Sequence, residues 1–209
     1  MRYGAPMTSW RHHRRTLARD AYVVAWVELD TAPGQLGLAM APGRREPTGA
    51  WGAAPEQERD LHADLRHLRH VHRCDVLVSL LSDEELEELG IANLSEAVAV
   101  HGIVHKRLPV RDGSVPGPER QAEVLDLMDQ LRERLLAGGT VVTHCRAGQG
   151  RAGMLASLVV ASLWELPGDA IARVRRARPR AVETVQQEHY VFDTAFAWFR
   201  RQAEARATV

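Results

Sequence analysis

The stretch Val141-Val142-Thr143-His144-Cys145-Arg146-Ala147-Gly148-Gln149-Gly150-Arg151-Ala152-Gly153 decides the fold. Residues 140–143 are β-branched throughout and predict a buried strand, and residues 154–160 (Met-Leu-Ala-Ser-Leu-Val-Val) predict a buried helix. Between them lies a tight strand-to-helix turn. Gly148 and Gly150 permit backbone conformations closed to other residues, so successive N–H groups can point inward as a nest, and the following helix N-terminus adds partial positive charge. An anion is the expected occupant. Cys145 opens the nest, where the helix terminus and Arg151 both favour a negatively charged sulfur and hence a nucleophile. Arg151 can hold two oxygens of a tetrahedral anion at once. A merely structural cysteine in a glycine-rich turn leaves the arginine at the entrance to a core helix unexplained.

Working outward, residues 21–29 predict a first strand and residues 31–55 a loop rich in Gly and Pro. Residues 56–71 predict a helix carrying Leu61, Leu65 and Leu68, and residues 75–81 a buried parallel strand. Ser82 with Glu85 forms a capping box for a helix that Gly90 stops, and Asn93 with Glu96 repeats the arrangement before Gly102. A strand over 103–110 follows, and Pro118 opens a long helix striped with Val124, Leu125, Met128, Leu131 and Leu135. Past the turn, Pro167-Gly168 ends a helix and Asp169 caps the next one through Arg178. Residues 184–200 then bury Val191, Phe192, Ala195, Trp198 and Phe199. Strands alternating with helices predict one α/β domain with a mainly parallel sheet, helices on both faces, and a helical C-terminal third. Ligands belong at the carboxyl ends of its strands.

The chain has 209 residues, 45% hydrophobic and 26% charged, enough for one well-covered core. That core is expected over residues 21–205. Residues 1–20 read as a flexible basic tail, although an Arg-rich, acid-poor start also fits an organellar presequence. With 27 basic against 27 acidic residues there is no general drive toward nucleic acid or membrane, and no run approaches the roughly 20 apolar residues that span a bilayer. Two cysteines rule out a disulfide scaffold and fit the reducing cytoplasm. A monomer is expected.

The His-Cys-five residues-Arg pattern resembles the signature loop of the protein tyrosine and dual-specificity phosphatases, with His144, Cys145, Gly148 and Arg151 on its defining positions. The resemblance implies a phosphatase fold and a phosphoprotein substrate, with no cofactor and no metal. It also implies a cysteinyl-phosphate on Cys145, with phosphate held by Arg146, Ala147, Gly148, Gln149, Gly150 and Arg151. A proton donor for the leaving oxygen should stand nearby. Asp112, in Pro109-Val110-Arg111-Asp112-Gly113, resembles the general acid of these enzymes, while Asp-Gly also simply starts turns. In order along the chain, Trp26 to Leu29, Leu36 to Arg44 and Val182 to Gln187 are similar to the kinase-associated phosphatase family. That similarity places Gln187 where a glutamine orients the hydrolytic water, against a bland reading as a polar helix position. Many family members follow the arginine with Ser or Thr, whose hydroxyl helps the sulfur leave; Ala152 cannot, which can cost on the order of a hundredfold in rate. Hydrolysis of phosphoinositides or inositol phosphates, and phosphate binding without turnover, are the competing functions.

Two other clusters stand out. His62, His67, His70, His72 and Cys74 are dense but lack zinc-finger spacing, and Cys74 lies roughly 20 Å along its strand from the active end at about 3.3 Å per residue. Arg173, Arg175, Arg176, Arg178 and Arg180 form a basic run, read either as a solvated helix face and turn or as a site for a second phosphate or an acidic partner.

Overall fold

The computed structural model describes residues 21–44 and 59–207. The tail expected over 1–20, the later part of the 31–55 loop and the first residues of the 56–71 helix lie outside them. Among the described residues five strands form one sheet: β1 (Val24–Val27), β2 (Gln35–Ala39), β3 (Val76–Ser79), β4 (Val104–Arg107) and β5 (Thr140–His144). Their order is β1-β2-β5-β3-β4, with only β1 antiparallel to its neighbour. β5, which leads into the cysteine turn, is therefore central.

The pleat of β5 sends Val141 into one core and Val142 into the other. The helices α1 (Leu61–His70), α2 (Asp83–Glu88) and α3 (Leu94–Val100) cover the Val142 face. The other face carries α4 (Gln121–Leu136), α5 (Gly150–Ser162), α6 (Pro167–Ala177) and α7 (Val185–Ala207). Each buried valine contributes on the order of 1.5–3 kcal/mol, so slippage of β5 by one residue would exchange both cores at once. Every residue of α5 is buried, which makes it the axis of its layer. No helix among the described residues is long and apolar enough to cross a membrane.

Several local expectations change. The Gly/Pro-rich loop contains β2, whose Gly37 disguises it; a Cβ there would lie 2.3 Å from Val24 Cγ1, so β1 can lie across β2 only over a glycine. Asn93 makes no side-chain cap, its φ of −87° and ψ of 18° being too nearly helical for the carboxamide to reach back. Leu166 rather than Asp169 precedes α6, because Pro167 supplies the preset φ of a first helical turn. Pro118 starts a short 3-10 turn (Pro118–Arg120), and α4 itself begins at Gln121. α7 runs on to Ala207, and Phe192 on it is 39% exposed rather than buried. The capping box at Ser82 forms as expected, and Gly90 beyond it takes φ of +68°.

Candidate active site

Parallel pairing brings the carboxyl ends of β2, β3, β4 and β5 to one edge, and the site is built there. Cys145 follows β5 directly and is almost fully buried. Leu80 N–H donates to His144 O at 3.0 Å, fixing the strand end from which the turn departs. Gly148 has φ of +68°, and a Cβ on it would meet Ala39 O at 2.3 Å, so the turn presses against the end of β2.

Two arginines from distant elements orient the turn. The Arg146 carbonyl accepts from Ala41 N–H at 3.3 Å and from Arg44 Nη1 at 3.2 Å, and the Ala147 carbonyl accepts from Arg178 Nη2 at 3.0 Å. With these carbonyls drawn outward, the N–H groups of residues 147–151 make no backbone hydrogen bond among the described residues. Unsatisfied amides beside a helix N-terminus are an anion seat.

Arg151 sits in the first turn of α5 and is 1% exposed. Its Nη1 donates to Val110 O and to Glu85 Oε2, each at 2.7 Å; its Nη2 donates to Glu85 Oε1 at 2.8 Å and pairs with Asp112 Oδ1 at 2.9 Å. Among the described residues Nε has no partner and is buried. Burial opposes the charge, but the Glu85 bonds and the nearby Cys145 outweigh it and raise the guanidinium above its ordinary range. Glu85 itself is burdened by burial, yet the bonds from Arg151 and from the Ser82 amide hold its carboxyl below the usual range. It serves the capping box and Arg151 together. The sequence reading placed Glu85 only in the capping box; the available signal was an acid fixed just past the carboxyl end of β3.

Asp112 lies on the loop after β4, where Leu108 N–H to Ser79 O (2.9 Å) and Val110 N–H to Leu80 O (3.1 Å) extend the pairing beyond the strand. Ser114 N–H donates to Arg111 O at 3.0 Å, closing a turn with Asp112 and Gly113 (φ of +70°) at its centre, and Asp112 also pairs with Arg151, its side chain 69% exposed. Thr184 Oγ1 donates to Gly113 O at 3.3 Å and Gln187 Nε2 to Ser114 O at 3.4 Å, clasping this loop to the start of α7. Gln187 is fully buried, and its Oε1 accepts the Glu183 N–H at 2.9 Å. Glu183, which the sequence reading passed over, reaches the cleft: a Cβ on Gly150 would stand 2.3 Å from its Oε2.

His144 is fully buried, and neither ring nitrogen has a partner among the described residues. Burial, with His105 and Arg151 adding to it, pushes its pKa down to about 3; burial and then Arg107 push that of His105 to about 4. Ala152 is fully buried, its carbonyl accepting from Thr143 Oγ1 at 3.2 Å. Cys74 is buried at the opposite end of the sheet with its S–H toward Val76 O at 3.3 Å, its thiol pushed up to about 12 by burial and Asp75. The histidines pair off instead, His62 with His101 at 3.0 Å and His67 edge-on to His72 at 4.9 Å; among the described residues no three His, Cys, Asp or Glu group as metal ligands. The basic run divides. Arg173 binds Glu165 and Asp30, Arg175 binds Glu188 and the carbonyls of Ala181 and Val182, Arg178 holds the turn, and Arg180 lines the cleft.

Cys145, Asp112, Arg146, Ala147, Gln149 and Glu183 line one cleft of about 820 Å³ over Arg151. A buried cysteine and arginine at one end of a parallel sheet, with a carboxylate beside them, define a protein tyrosine/dual-specificity phosphatase. The chain belongs to the family described as polymorphic toxin system, DSP-PTPase phosphatase, whose model matches residues 52–163. It is 34% identical over 67 residues to effector protein hopD2 of Pseudomonas syringae pv. tomato, an overlap of 32% of this chain. Over 109 residues, 51% of the chain, it is 31% identical to a tyrosine-protein phosphatase CDC14 homolog of Schizosaccharomyces pombe. These alignments span 14% and 20% of those two proteins. In fold it is similar to kinase-associated phosphatase solved with serine in place of its catalytic-site cysteine. The TM-score is 0.72 at 21% identity, covering 85% of this chain and 96% of that one.

Proposed function

We propose that the chain removes phosphate from phosphotyrosine in proteins, with phosphoserine and phosphothreonine as further substrates, by way of a cysteinyl-phosphate on Cys145. The observation that carries this reading is that Cys145 and Asp112 line one cleft while the buried Arg151 stands beside it, its Nη2 2.9 Å from Asp112 Oδ1. Cys145 Sγ attacks phosphorus while the bond to the leaving oxygen breaks, and the unsatisfied amides with Arg151 hold the three equatorial oxygens. An arriving phosphate takes the place of Asp112 on Arg151; the freed, solvent-exposed carboxylate takes up a proton from water and delivers it to the leaving oxygen. Water then attacks the phosphorus, the P–S bond breaks, and a carboxylate receives the proton. Asp112 and Glu183 are the two carboxylates lining the cleft, and Gln187 positions Glu183 through its backbone N–H. Ala147, Pro179, Ala181 and Val182 add an apolar wall suited to an aromatic ring.

Free thiols at Cys145 and Cys74 favour a cytoplasm as the place of action. The family's description as a toxin system, and an effector protein among the relatives, support phosphoproteins of a cell that the protein enters. Ala152 favours one rival, a phosphate-binding module that turns over too slowly to matter. Single-turnover hydrolysis of an aryl phosphate by the wild type, Cys145→Ser, Asp112→Asn and Arg151→Lys separates the two. We expect no hydrolysis by Cys145→Ser and a loss of about 10²–10⁴ in Asp112→Asn. A wild type inert toward aryl phosphates would establish the binding module, and an active Cys145→Ser would end the covalent mechanism.

A further inference from the structure

We infer that the preferred substrate is a phosphopeptide bearing a second anionic group, a phosphate or a carboxylate, which docks on an arginine rim at the cleft mouth. This rests on the phosphatase reading above. Arg44, Arg146, Arg175 and Arg180 line the cleft against only two carboxylates, Asp112 and Glu183. They are not equivalent. Arg146 meets Glu88 at 3.3 Å and Arg175 is paired with Glu188, which leaves those charges largely answered. Arg180 is exposed and has no ion pair among the described residues, and Arg178 beside it spends a donor on the Ala147 carbonyl with no carboxylate attached. A guanidinium carries five N–H donors, so holding the Ala147 carbonyl leaves Arg178 able to bind an anion as well.

The rim is also built rather than loose. Arg178 N–H closes α6 on Val174 O at 2.9 Å, and Ala181 N–H turns back to Arg178 O at 2.8 Å. Arg175 then clamps the carbonyls of Ala181 and Val182 at 3.0 and 2.8 Å, with Val182 forced to φ of +58°. Pro179 and Arg180 sit on that fixed turn, so the backbone that carries Arg180 needs no reordering when a ligand binds. Arg44 reaches the same cleft from the turn after β2, where Gly43 N–H is held by Asp64 Oδ2 at 2.9 Å. Asp112 and Glu183 share the cleft, so a ring phosphorylated on several positions would press charge against carboxylates. A peptide presents one further charge at a distance. This favours the peptide over an inositol polyphosphate.

The test compares kcat/KM for a phosphotyrosyl peptide with neutral flanks and for the same peptide with a second phosphate or flanking glutamates. A soluble inositol polyphosphate is the third arm. In wild type the doubly charged peptides should be favoured about tenfold, with a steeper fall as salt is added. In Arg180→Ala the ratio of doubly to singly charged peptide should fall to near one, and Arg180→Lys should keep part of it. A wild-type ratio near one, a ratio untouched in Arg180→Ala, or inositol polyphosphate surpassing both peptides would each overturn the inference. Failure of the parent reading shows differently, as hydrolysis of none of these compounds or as hydrolysis that survives Cys145→Ser.

Discussion

Arg151 and Glu85 meet as a two-pronged ion pair, Nη1 to Oε2 at 2.7 Å and Nη2 to Oε1 at 2.8 Å, across 66 positions of chain. The pair aims the guanidinium. With both prongs fixed and Val110 O on a third donor, Nε and the edge shared with Asp112 are what an anion can use. Removing Glu85 leaves a buried arginine without its main counter-charge, and such losses cost about 3–5 kcal/mol. Glu85→Ala should therefore lower the denaturation midpoint markedly and reduce kcat/KM on an aryl phosphate at least tenfold. Glu85→Gln, which keeps one acceptor and the capping-box geometry, should recover part of the midpoint. Wild-type values in Glu85→Ala, read by chemical denaturation and steady-state kinetics, would contradict this role.

Gly148 should tolerate no side chain. Its φ of +68° strains any L-residue, and a Cβ would stand 2.3 Å from Ala39 O, a backbone atom that cannot move aside. Gly148→Ala is expected to abolish phosphate binding measured with vanadate, while Gly102→Ala, a surface position that also has positive φ but nothing within 4 Å, should cost only modest stability.

The central strand, the cysteine turn and α5 were legible because their signals are local: a β-branched run, glycines inside a turn, and a cysteine and arginine at fixed spacing. β2 was not, since its strand character depends on β1 crossing over Gly37. Glu85 and Glu183 escaped for a similar reason. Each reaches the site through a tertiary contact, with Arg151 in one case and Gly150 in the other, that no neighbouring residue announces. Asp112 and Gln187 were visible only beside the signature loop, and their contacts with each other's segments, Thr184 on Gly113 and Gln187 on Ser114, depend on where α7 packs.

Breakdown of the cysteinyl-phosphate should limit turnover because Ala152 offers no hydroxyl to the departing sulfur. Rapid-quench kinetics on an aryl phosphate should show a burst near one equivalent of enzyme. In Ala152→Ser the burst should shrink and kcat rise about tenfold. In Glu183→Gln the burst should persist while the slow phase slows further, because a cleft carboxylate that can take the water's proton has gone. A wild type without a burst would overturn this assignment.

Acid should unfold the protein through its histidines. An unfolded histidine takes a proton near 6.5, whereas His144 resists to about 3 and His105 to about 4. Below about pH 6.5 the unfolded chain binds more protons, so stability falls as pH falls, by about 1.4 kcal/mol per pH unit for each proton. Glu85 acts in the same direction at lower pH: its depressed carboxyl stabilises the fold above its ordinary 4.5, a contribution lost as pH drops through the folded value. Urea midpoints at pH 7.5 and pH 5 should differ in that sense, and equal midpoints would contradict it.

The central claim is a covalent phosphate on one sulfur. Acid-quenching the enzyme during turnover of a phosphotyrosyl peptide and mapping the digest by mass spectrometry should find a phosphate adduct on Cys145. The same digest should show Cys74 unmodified and no adduct in Cys145→Ser. Steady release of phosphate with no adduct on Cys145, or an adduct elsewhere while Cys145→Ser stays active, would contradict the account.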